Sequence, residues 1–441
     1  MATDPPIPST AHRSGAPAHE GPGPLVELEI GAVAHGGHCV ARLSGDGSGD
    51  RPGGRVVFVR HTLPGERVRA RLTDSADDAT FWRADAVEIL EASPDRVPSA
   101  WPAAGPGGVG GGELAHVALP AQRVWKATVV AEQLQRLAKL EREVVVEAAP
   151  GDDERGGLGW RTRIDLVVDD AGRAGMRGIR SHDVHALADM PLASDAIAGL
   201  GLFARTWRPG THLEAIAPAG GQAPMVLVDG IPFVGGSADT RPNARTSVRE
   251  ALSLAGRDYV YRVTADGFWQ VHREAPAVLT GAVLAGLGDI DGATVLDLYS
   301  GAGLFTLPLA DAVGTSGEVV SVEGDPRAVH DARRNSHDRS NIELHHGDVA
   351  RVLAGTLDAD SDVIHADLVV LDPPRAGAGR KVVASIAELR PERIVYAACD
   401  PAALARDVAY LAEAGYGLTG LRAFDLFPMT HHVECVAVFA R

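Results

Sequence analysis

A short segment near position 300 combines an acidic residue with closely spaced glycines. In the run from Thr294 to Phe305, an apolar stretch ends at Asp297 and leads through Gly301-Ala302-Gly303 into a helical pattern. Glycines let the backbone turn sharply and approach a ligand closely. Glu323 ends the next apolar run, at a position where a carboxylate can accept hydrogen bonds from both hydroxyls of a ribose. The spacing predicts a site for a cofactor that contains a nucleoside.

Two classes of enzyme use this kind of turn. Thr306 stands where the dinucleotide fingerprint has its third glycine, and the shorter Asp-x-x-x-Gly-x-Gly form suits a cofactor without a pyrophosphate. The motif therefore favours a methyltransferase that uses S-adenosylmethionine over a dehydrogenase, and it leaves both open. Asp348 follows a third strand-like run, where it can either meet an adenine amino group or cap a turn.

Four segments in the C-terminal half sharpen this prediction. They are FWQVHREAP (268–276), LVVLDPPRAG (368–377), IVYAACDPAALARD (394–407) and FPMTHHVECV (427–436). In order and spacing they resemble the RNA uracil-C5 methyltransferases, a family that acts on tRNA and ribosomal RNA. The N-terminal strands look like the TRAM domain that many members carry. The resemblance covers residues 25–441.

The resemblance implies roles for two residues in the chemical step. Carbon 5 of uracil is a poor nucleophile, and addition of a thiolate to carbon 6 converts the ring into an enolate that can attack a methyl donor. Cys399 matches the nucleophile of the family. Glu434 matches the base that removes the carbon 5 proton so that the cysteine can leave. Without the flanking motifs, Cys399 would be a packing residue and Glu434 a surface or edge-strand carboxylate.

Further residues are expected to line the cofactor pocket. By the same match these are Gln270, Tyr299, Glu323 and Asp372, to which the glycine turn adds Gly301 and the third strand adds Asp348. A target base has to leave its stack to reach such a pocket, so we expect an unpaired nucleotide as substrate. Phe268 and Trp269 offer either a stacking surface for this base or core packing.

The chain departs from the family at two places. Members commonly have Asn after the catalytic cysteine, where this chain has Asp400. A nearby carboxylate disfavours a thiolate unless hydrogen-bond donors lie close by or the carboxylate itself is protonated. Many members also bind an iron–sulfur cluster through a Cys-Gly-Gly-Cys segment and two more cysteines, and the matching positions hold Trp101, Val109, Gly112 and Met190. Because none of these can ligate iron, we predict no iron–sulfur cluster and no other metal.

The candidate site residues follow strand-like runs that alternate with helix-like segments from about Ala275 onward. The runs are ATVLDLYSGAGLF, GEVVSVEGD, ADLVVLDPPR and RIVYAACDP. Such alternation is typical of an α/β fold, a Rossmann-like parallel sheet covered by helices on both faces. Ligands of these sheets bind at the carboxyl ends of the strands, which is where the polar residues lie.

The N-terminal part has a different pattern. Between Leu25 and about Leu90, five short strand-like runs are separated by Gly, Pro, Asp and Ser clusters, which predicts a small β-barrel of the oligonucleotide-binding type. A helix is expected from about Gln122 to Leu140. We predict a disordered tail at 1–23, the barrel at 24–92, a central mixed α+β region at 93–265 and the methyltransferase domain at 266–441.

Charge limits how this chain can bind RNA. The formal net charge is −16, which argues against a protein that coats nucleic acid through a global positive field. Five arginines, at 55, 60, 67, 69 and 71, are accompanied by only one acid, Glu66, in that stretch. They form either a local RNA contact or a solvated strand face.

Composition favours a cytoplasmic protein. Three cysteines, Cys39, Cys399 and Cys435, are too few for a disulfide framework, and no apolar run approaches the ~20 residues that cross a bilayer. We expect RNA as partner, no membrane and no obligate protein partner. Two alternatives stay open. One is a methyltransferase that acts on cytosine or a small molecule, and the other is a non-catalytic RNA-binding protein in which only the barrel acts.

Overall fold

The computed structural model describes residues 23–43, 54–179, 181–356 and 366–441. These divide into a smaller unit, within residues 1–34 and 38–94, and a larger unit, within residues 35–37 and 95–441. Apart from Gly23, the tail predicted at 1–23 lies outside the described residues. In the described part of the chain, no helix is long and apolar enough to cross a membrane.

The smaller unit is a closed five-stranded barrel. Its strands are β1 (Leu25–Ala34), β2 (His38–Leu43), β3 (Arg55–Arg60), β4 (Arg67–Asp74) and β5 (Trp82–Glu91). They follow the order β1-β2-β3-β5-β4, and β3 and β5 are parallel. Side chains alternate between the two faces of a strand, so Val57 and Val59 are both fully buried. The barrel predicted from the five runs is confirmed.

The larger unit opens with a helix that differs in its bounds from the predicted one. Helix α1 (Leu119–Gln133) begins three residues early, because Pro120 is favoured in the first turn of a helix. It continues as a π-helical turn at Leu134–Ala138. The chain leaves this turn at Lys139, whose φ of 56° is left-handed.

A second sheet follows α1 and the short strand β6 (Val146–Ala148). The chain then forms β7 (Arg163–Val168), β8 (Ala174–Arg177), β9 (Val184–Ala186), helix α2 (Asp195–Ala198), β10 (His212–Ile216), β11 (Met225–Val228), β12 (Ile231–Val234) and β13 (Ser237–Ala238). These seven strands have the order β13-β12-β11-β10-β7-β8-β9. The hairpin of β14 (Ser247–Leu254) and β15 (Arg257–Thr264) comes next.

The C-terminal part alternates helices and strands, as its sequence predicted. The elements are α3 (Ala275–Leu287), β16 (Thr294–Leu298), α4 (Thr306–Ala312), β17 (Glu318–Glu323), α5 (Pro326–Asn335), β18 (Ile342–His346), α6 (Val349–Thr356), β19 (Leu368–Leu371), α7 (Gly379–Leu389), β20 (Arg393–Ala398), α8 (Pro401–Glu413), β21 (Gly417–Asp425) and β22 (Glu434–Ala440). The strand order is β18-β17-β16-β19-β20-β22-β21-β6.

This sheet is parallel only in part. Five neighbouring strands, in the order β18-β17-β16-β19-β20, pair in parallel. Strand β22, in contrast, is antiparallel to both of its neighbours, β20 and β21. Helices cover both faces. Val295 packs with α3 and α4 on one face, and its neighbour Leu296 packs with α6, α7 and α8 on the other. The Rossmann-like α/β fold is confirmed, and the antiparallel β22 adds the strand that carries Glu434.

Candidate active site

Four neighbouring parallel strands deliver polar residues to one edge of the large sheet. Tyr299 follows β16, Glu323 ends β17, Asp372 follows β19 and Cys399 follows β20. These strands are adjacent in the order β17-β16-β19-β20. The carboxyl ends of parallel strands meet at one edge, so the fold gathers residues that are as far as 100 positions apart in the sequence.

The turn after β16 has the unusual backbone expected of a ligand-binding loop. Tyr299 has φ of 61°, a left-handed conformation that is uncommon for a bulky residue. Gly301 and Gly303 follow with φ of 57° and 94°. The Glu323 carboxylate accepts the Gly301 N–H at 2.8 Å and the Asp325 N–H at 2.6 Å. Glu323 therefore holds the glycine turn as well as lying at the expected ribose position.

Asp297 is the acid of the predicted glycine motif, but it was not among the predicted cofactor-pocket residues. It is fully buried, and one carboxylate oxygen accepts the Thr306 hydroxyl at 2.6 Å. The other oxygen, and the buried Ser300 hydroxyl, have no hydrogen-bond partner among the described residues. Burial, with a contribution from Asp372 and Glu323, raises the pKa of Asp297 to about 7. Its position at the strand end before the glycine turn was the available signal.

Three of the remaining cofactor candidates, Asp372, Tyr299 and Asp348, lie near this turn. Burial raises the pKa of Asp372 to about 7. Tyr299 and Asp348 line one cavity of about 360 Å³. Asp348 also accepts the Arg351 N–H at 3.1 Å, so its capping role is present. Gln270 is buried at 9% exposure. Orphaned acidic and hydroxyl oxygens beside a glycine turn fit the cationic methionine end of S-adenosylmethionine.

Phe268 and Trp269, the two aromatic residues of the FWQ segment, differ in their exposure to solvent. Trp269 is buried against Tyr261, with ring centroids 4.9 Å apart. Phe268 is 75% exposed. Of the two predicted alternatives, core packing therefore applies to Trp269, and Phe268 is the ring that is accessible for stacking on a base.

Strand register brings the predicted nucleophile and base together. In the antiparallel pair of β20 and β22, Ala398 lies opposite Cys435. Continuing that register by one residue places Cys399 opposite Glu434. Side chains of directly opposed residues in antiparallel strands are neighbours on one face. Glu434 belongs to an interior strand and is buried at 6% exposure, so it is not an edge-strand carboxylate.

The electrostatics of this pair favour neutral groups in the free protein. Burial, and then the charges of Glu434 and Asp372, raise the pKa of the Cys399 thiol to about 12, which the nearby Arg375 partly offsets. Burial and Asp372 also raise the pKa of Glu434 well above its ordinary value, and Arg375 again opposes the shift. A cation placed in this pocket would lower all of these pKa values, because it stabilises each anion.

Asp400 is accommodated without being protonated. It caps α8 by accepting the Ala403 N–H at 2.8 Å, which an Asn at this position could also do. Its other oxygen lies 3.2 Å from His35 Nε2, within the larger unit. Burial raises the pKa of Asp400, but the hydrogen bonds from His35 and the α8 amides lower it more, and the net shift is downward.

The positions that match the family's iron ligands are filled by an apolar core. Trp101, Val109 and Met190 belong to one buried cluster, and Trp101 and Val109 are 1% and 0% exposed. A Cβ atom on Gly112 would lie 2.9 Å from the Trp101 ring. The residues present do not fit an iron–sulfur cluster, since they offer no thiolate. The absence of a cluster stays a prediction.

The arginines of the barrel have partners that the linear sequence does not display. Arg67 pairs with Glu27 of β1 and Glu91 of β5, and Arg69 pairs with Glu27 and Glu88. Their side chains are 45% and 39% exposed. Cross-strand ion pairs of this kind are typical of a solvated face, so the cluster is less cationic than its sequence indicates.

Comparison with known proteins assigns the chain to a family. The family model for tRNA (uracil-5-)-methyltransferases matches residues 231–441, and the TRAM domain model matches residues 22–87. An uncharacterized RNA methyltransferase of Streptomyces coelicolor is 45% identical over 437 residues, which are 93% of this chain and 92% of that protein. The chain belongs to the RNA uracil-C5 methyltransferase family. It is therefore an S-adenosylmethionine-dependent RNA methyltransferase with a TRAM domain.

Two further comparisons are consistent with this assignment. An uncharacterized RNA methyltransferase of Bifidobacterium longum is 42% identical over 441 residues, covering 94% of this chain and 96% of that protein. In fold, the chain is similar to the Pyrococcus abyssi tRNA (uracil-54, C5)-methyltransferase in complex with S-adenosyl-L-homocysteine. The TM-score is 0.64 at 22% identity, and the match covers 93% of this chain and 99% of that one. Membership in a family of RNA methyltransferases excludes the dehydrogenase.

Proposed function

We propose that this methyltransferase modifies carbon 5 of one uridine in tRNA or ribosomal RNA, with Cys399 as nucleophile and Glu434 as base. The observation that supports the proposal is the register of β20 and β22, in which Ala398 lies opposite Cys435, so that the residue after Ala398, Cys399, and the residue before Cys435, Glu434, come next to each other. Nucleophile and base have to reach the same ring, one at carbon 6 and one at carbon 5. Adjacent positions on paired strands meet that requirement.

The proposed reaction has three steps. The Cys399 thiolate adds to carbon 6, which forms a sulfur–carbon bond and moves the electrons of the ring double bond to the carbon 4 oxygen. The electrons of the enolate then form the bond from carbon 5 to the methyl group, the methyl–sulfur bond of the donor breaks, and the donor would leave as a neutral thioether. Glu434 removes the proton on carbon 5, the double bond re-forms and the sulfur–carbon bond breaks. S-adenosylmethionine, when bound, supplies an electrophilic methyl group.

The residues of this chain have distinct tasks in cofactor binding. Glu323 would accept the ribose hydroxyls, and Tyr299 and Asp348 would flank the adenine. Asp297 and Asp372 would face the positive end of the cofactor, because they are neighbouring acids whose pKa is raised to about 7. A cation there would also make the Cys399 thiolate easier to form, so addition is expected to follow cofactor binding.

Two variants test the proposed roles. Cys399→Ala should abolish methylation and every covalent complex. Glu434→Gln should still add to the base and methylate it but should fail to remove the proton, since loss of a general base costs about 10²–10⁴ in rate. It should accumulate a protein–RNA adduct that survives denaturing electrophoresis and carries labelled methyl. Replacing Cys399 as well should remove this adduct.

Controls distinguish the proposal from its rivals. Cys435→Ala changes the buried cysteine next to Glu434 in sequence and should leave product formation intact. Separated tRNA and ribosomal RNA, incubated with methyl-labelled cofactor and then digested, should give 5-methyluridine. We would test tRNA first, because the Pyrococcus abyssi protein of similar fold acts on tRNA. Labelled 5-methylcytidine, or methylation by Cys399→Ala, would refute the proposal.

A further inference from the structure

Helix α1 buries two polar side chains that the cofactor and the substrate do not require. Gln122 and Lys126 are both 0% exposed. They are four residues apart, so they lie on the same face of the helix. A buried ammonium is strongly disfavoured unless it is paired and hydrogen-bonded. The groups that this face of α1 contacts must therefore compensate for the buried ammonium and amide.

Lys126 contacts the end of β21 and the connection that follows it. Its ammonium donates to Asp425 Oδ1, and to the carbonyl oxygen of Phe427 at 3.0 Å. Asp425 is the last residue of β21 and is 1% exposed. One side chain of α1 thus holds both a strand end and the backbone two residues beyond it.

Gln122 holds the middle of the same connection. Its Oε1 accepts the Met429 N–H at 2.8 Å, and its amide nitrogen donates to the carbonyls of Val117 at 2.9 Å and Leu114 at 3.2 Å. The Leu114 N–H in turn donates to the Met429 carbonyl at 2.9 Å. Both backbone groups of Met429 are therefore bonded. Its φ of 68° is left-handed, a strained conformation that persists only when surrounding contacts impose it.

This connection leads directly into Glu434. Strands β21 and β22 pair with Phe424 opposite Glu434, and residues 426–433, between the end of β21 at Asp425 and the start of β22, form the loop that closes the hairpin. Glu434 is the first residue of β22. A loop pinned at Asp425, Phe427 and Met429 has little freedom to shift the strand end that carries the carboxylate. A displacement of about 1 Å at a reacting group can lower a rate by about 10²-fold.

We propose that Gln122 and Lys126 are positioning residues for Glu434, which they hold beside Cys399 by pinning the end of β21 and the loop 426–433 to α1. The inference rests on the proposed function, because it concerns the step in which Glu434 removes the carbon 5 proton. Neither side chain touches the reacting atoms. Their loss should slow that step more than addition or methyl transfer.

The experiment uses the full chain and tRNA or ribosomal RNA that it methylates. Lys126→Met combined with Asp425→Asn removes the ammonium without leaving its carboxylate charged and unpaired, and Gln122→Leu removes the Met429 contact with no change of charge. Lys139→Met is the matched control, because Lys139 is exposed and its ammonium donates to the nearby Arg136 carbonyl at the end of the same helical segment. Glu434→Gln is assayed in parallel.

We expect both loop variants to accumulate labelled protein–RNA adduct, with product release slowed about 10- to 10²-fold and cofactor affinity unchanged. Lys139→Met should behave as the unmodified enzyme. If Gln122→Leu lowers cofactor affinity, adduct formation and turnover in proportion, or turns over normally, the inference is wrong. Gln122→Leu alone decides the matter if the double variant fails to fold. If Glu434→Gln forms no adduct either, the proposed function fails, and with it the inference.

Discussion

The pocket at Cys399 and the core at Trp101 are two regions where the family's chemistry is expected, and they are built in opposite ways. The pocket keeps acids whose pKa is raised by burial, namely Asp297, Asp372 and Glu434. The Trp101 region holds close-packed apolar side chains, including Val109 and Met190. One region leaves carboxylate and hydroxyl oxygens that no described residue contacts by a hydrogen bond, and the other fills the space that four ligands would occupy.

The difference indicates where function opposes stability. A buried carboxylate oxygen without a hydrogen-bond partner, such as Asp297 Oδ1, destabilises a fold, and we expect a bound ligand to compensate for it here. Where the ligands are absent from the sequence, nothing favours keeping a cavity, and a large indole contributes to stability by filling it. Substitutions in the Trp101 region should therefore lower the stability of the fold, and substitutions in the pocket should lower the affinity for the cofactor.

The largest expected effect is on stability at the Trp101 region. Trp101→Ala should lower the free energy of unfolding by about 3–5 kcal/mol, the usual cost of a buried Trp, and leave cofactor affinity of the folded protein unchanged. Denaturant unfolding measures the first quantity and calorimetry the second. Phe268→Ala, at an exposed ring, is the control and should leave unfolding unaltered. A Trp101→Ala effect below about 1 kcal/mol would contradict the packed-core interpretation.

Metal analysis sharpens the same comparison. The purified protein should be colourless and free of stoichiometric iron, and methylation should survive chelators and oxygen, because Trp101, Val109, Gly112 and Met190 provide no thiolate. Stoichiometric iron with visible charge-transfer absorbance would mean that other residues bind a cluster.

A smaller effect is expected at the ribose position of the pocket. Glu323→Ala should weaken S-adenosylmethionine binding by about 1.5–3 kcal/mol, the range for hydrogen bonds to a charged group. Part of this loss of binding free energy should come from the glycine turn, because Glu323→Ala also removes the acceptor of the Gly301 N–H. Glu318→Ala, at the exposed start of the same strand, should bind normally. Equal affinities of Glu323→Ala and the unmodified enzyme by calorimetry would remove Glu323 from the site.

The pH dependence of cofactor binding tests the buried acids. Asp297 and Asp372 have pKa values of about 7 in the free protein, and a bound cation lowers them. Binding should therefore be weak while these acids are protonated, strengthen as pH rises through about 7, and level off above about 8. Each proton released contributes up to about tenfold per pH unit. Calorimetry in buffers of different ionisation enthalpy should detect proton release, and a flat profile would contradict the assignment.

The smallest effect is expected on the barrel. Replacing both Arg67 and Arg69 should raise the Michaelis constant for RNA and lower the salt slope by at most about one unit per phosphate contact. Each arginine already pairs with glutamates, and these ion pairs, worth about 0.2–1 kcal/mol each, must break before the arginine can bind a phosphate. The free energy that each arginine contributes to RNA binding is therefore small. Cofactor affinity should stay constant. An unchanged salt slope would leave these arginines as a solvated face.

Local patterns in the chain determined the elements and the family. Strand runs of the barrel were readable because side chains alternate with period two, and the glycine turn after Asp297 was readable because only certain residues adopt its backbone. The four C-terminal segments that resemble the family carried the candidate roles of Cys399 and Glu434. Each of these signals is contained within a short stretch of the sequence.

Only the tertiary structure decided what depends on pairing between distant segments. It paired Ala398 with Cys435 and so brought the neighbouring Cys399 and Glu434 together, gave Arg67 and Arg69 their acidic partners, and left Asp297 with one oxygen that accepts no hydrogen bond from the described residues. Burial and charge proximity are properties of the folded neighbourhood, so neither pKa values nor ion pairs can be read from spacing along the chain. The hydrogen bonds from α1 to the segment before Glu434 join residues some 300 positions apart in the sequence, so they too depend on the tertiary structure.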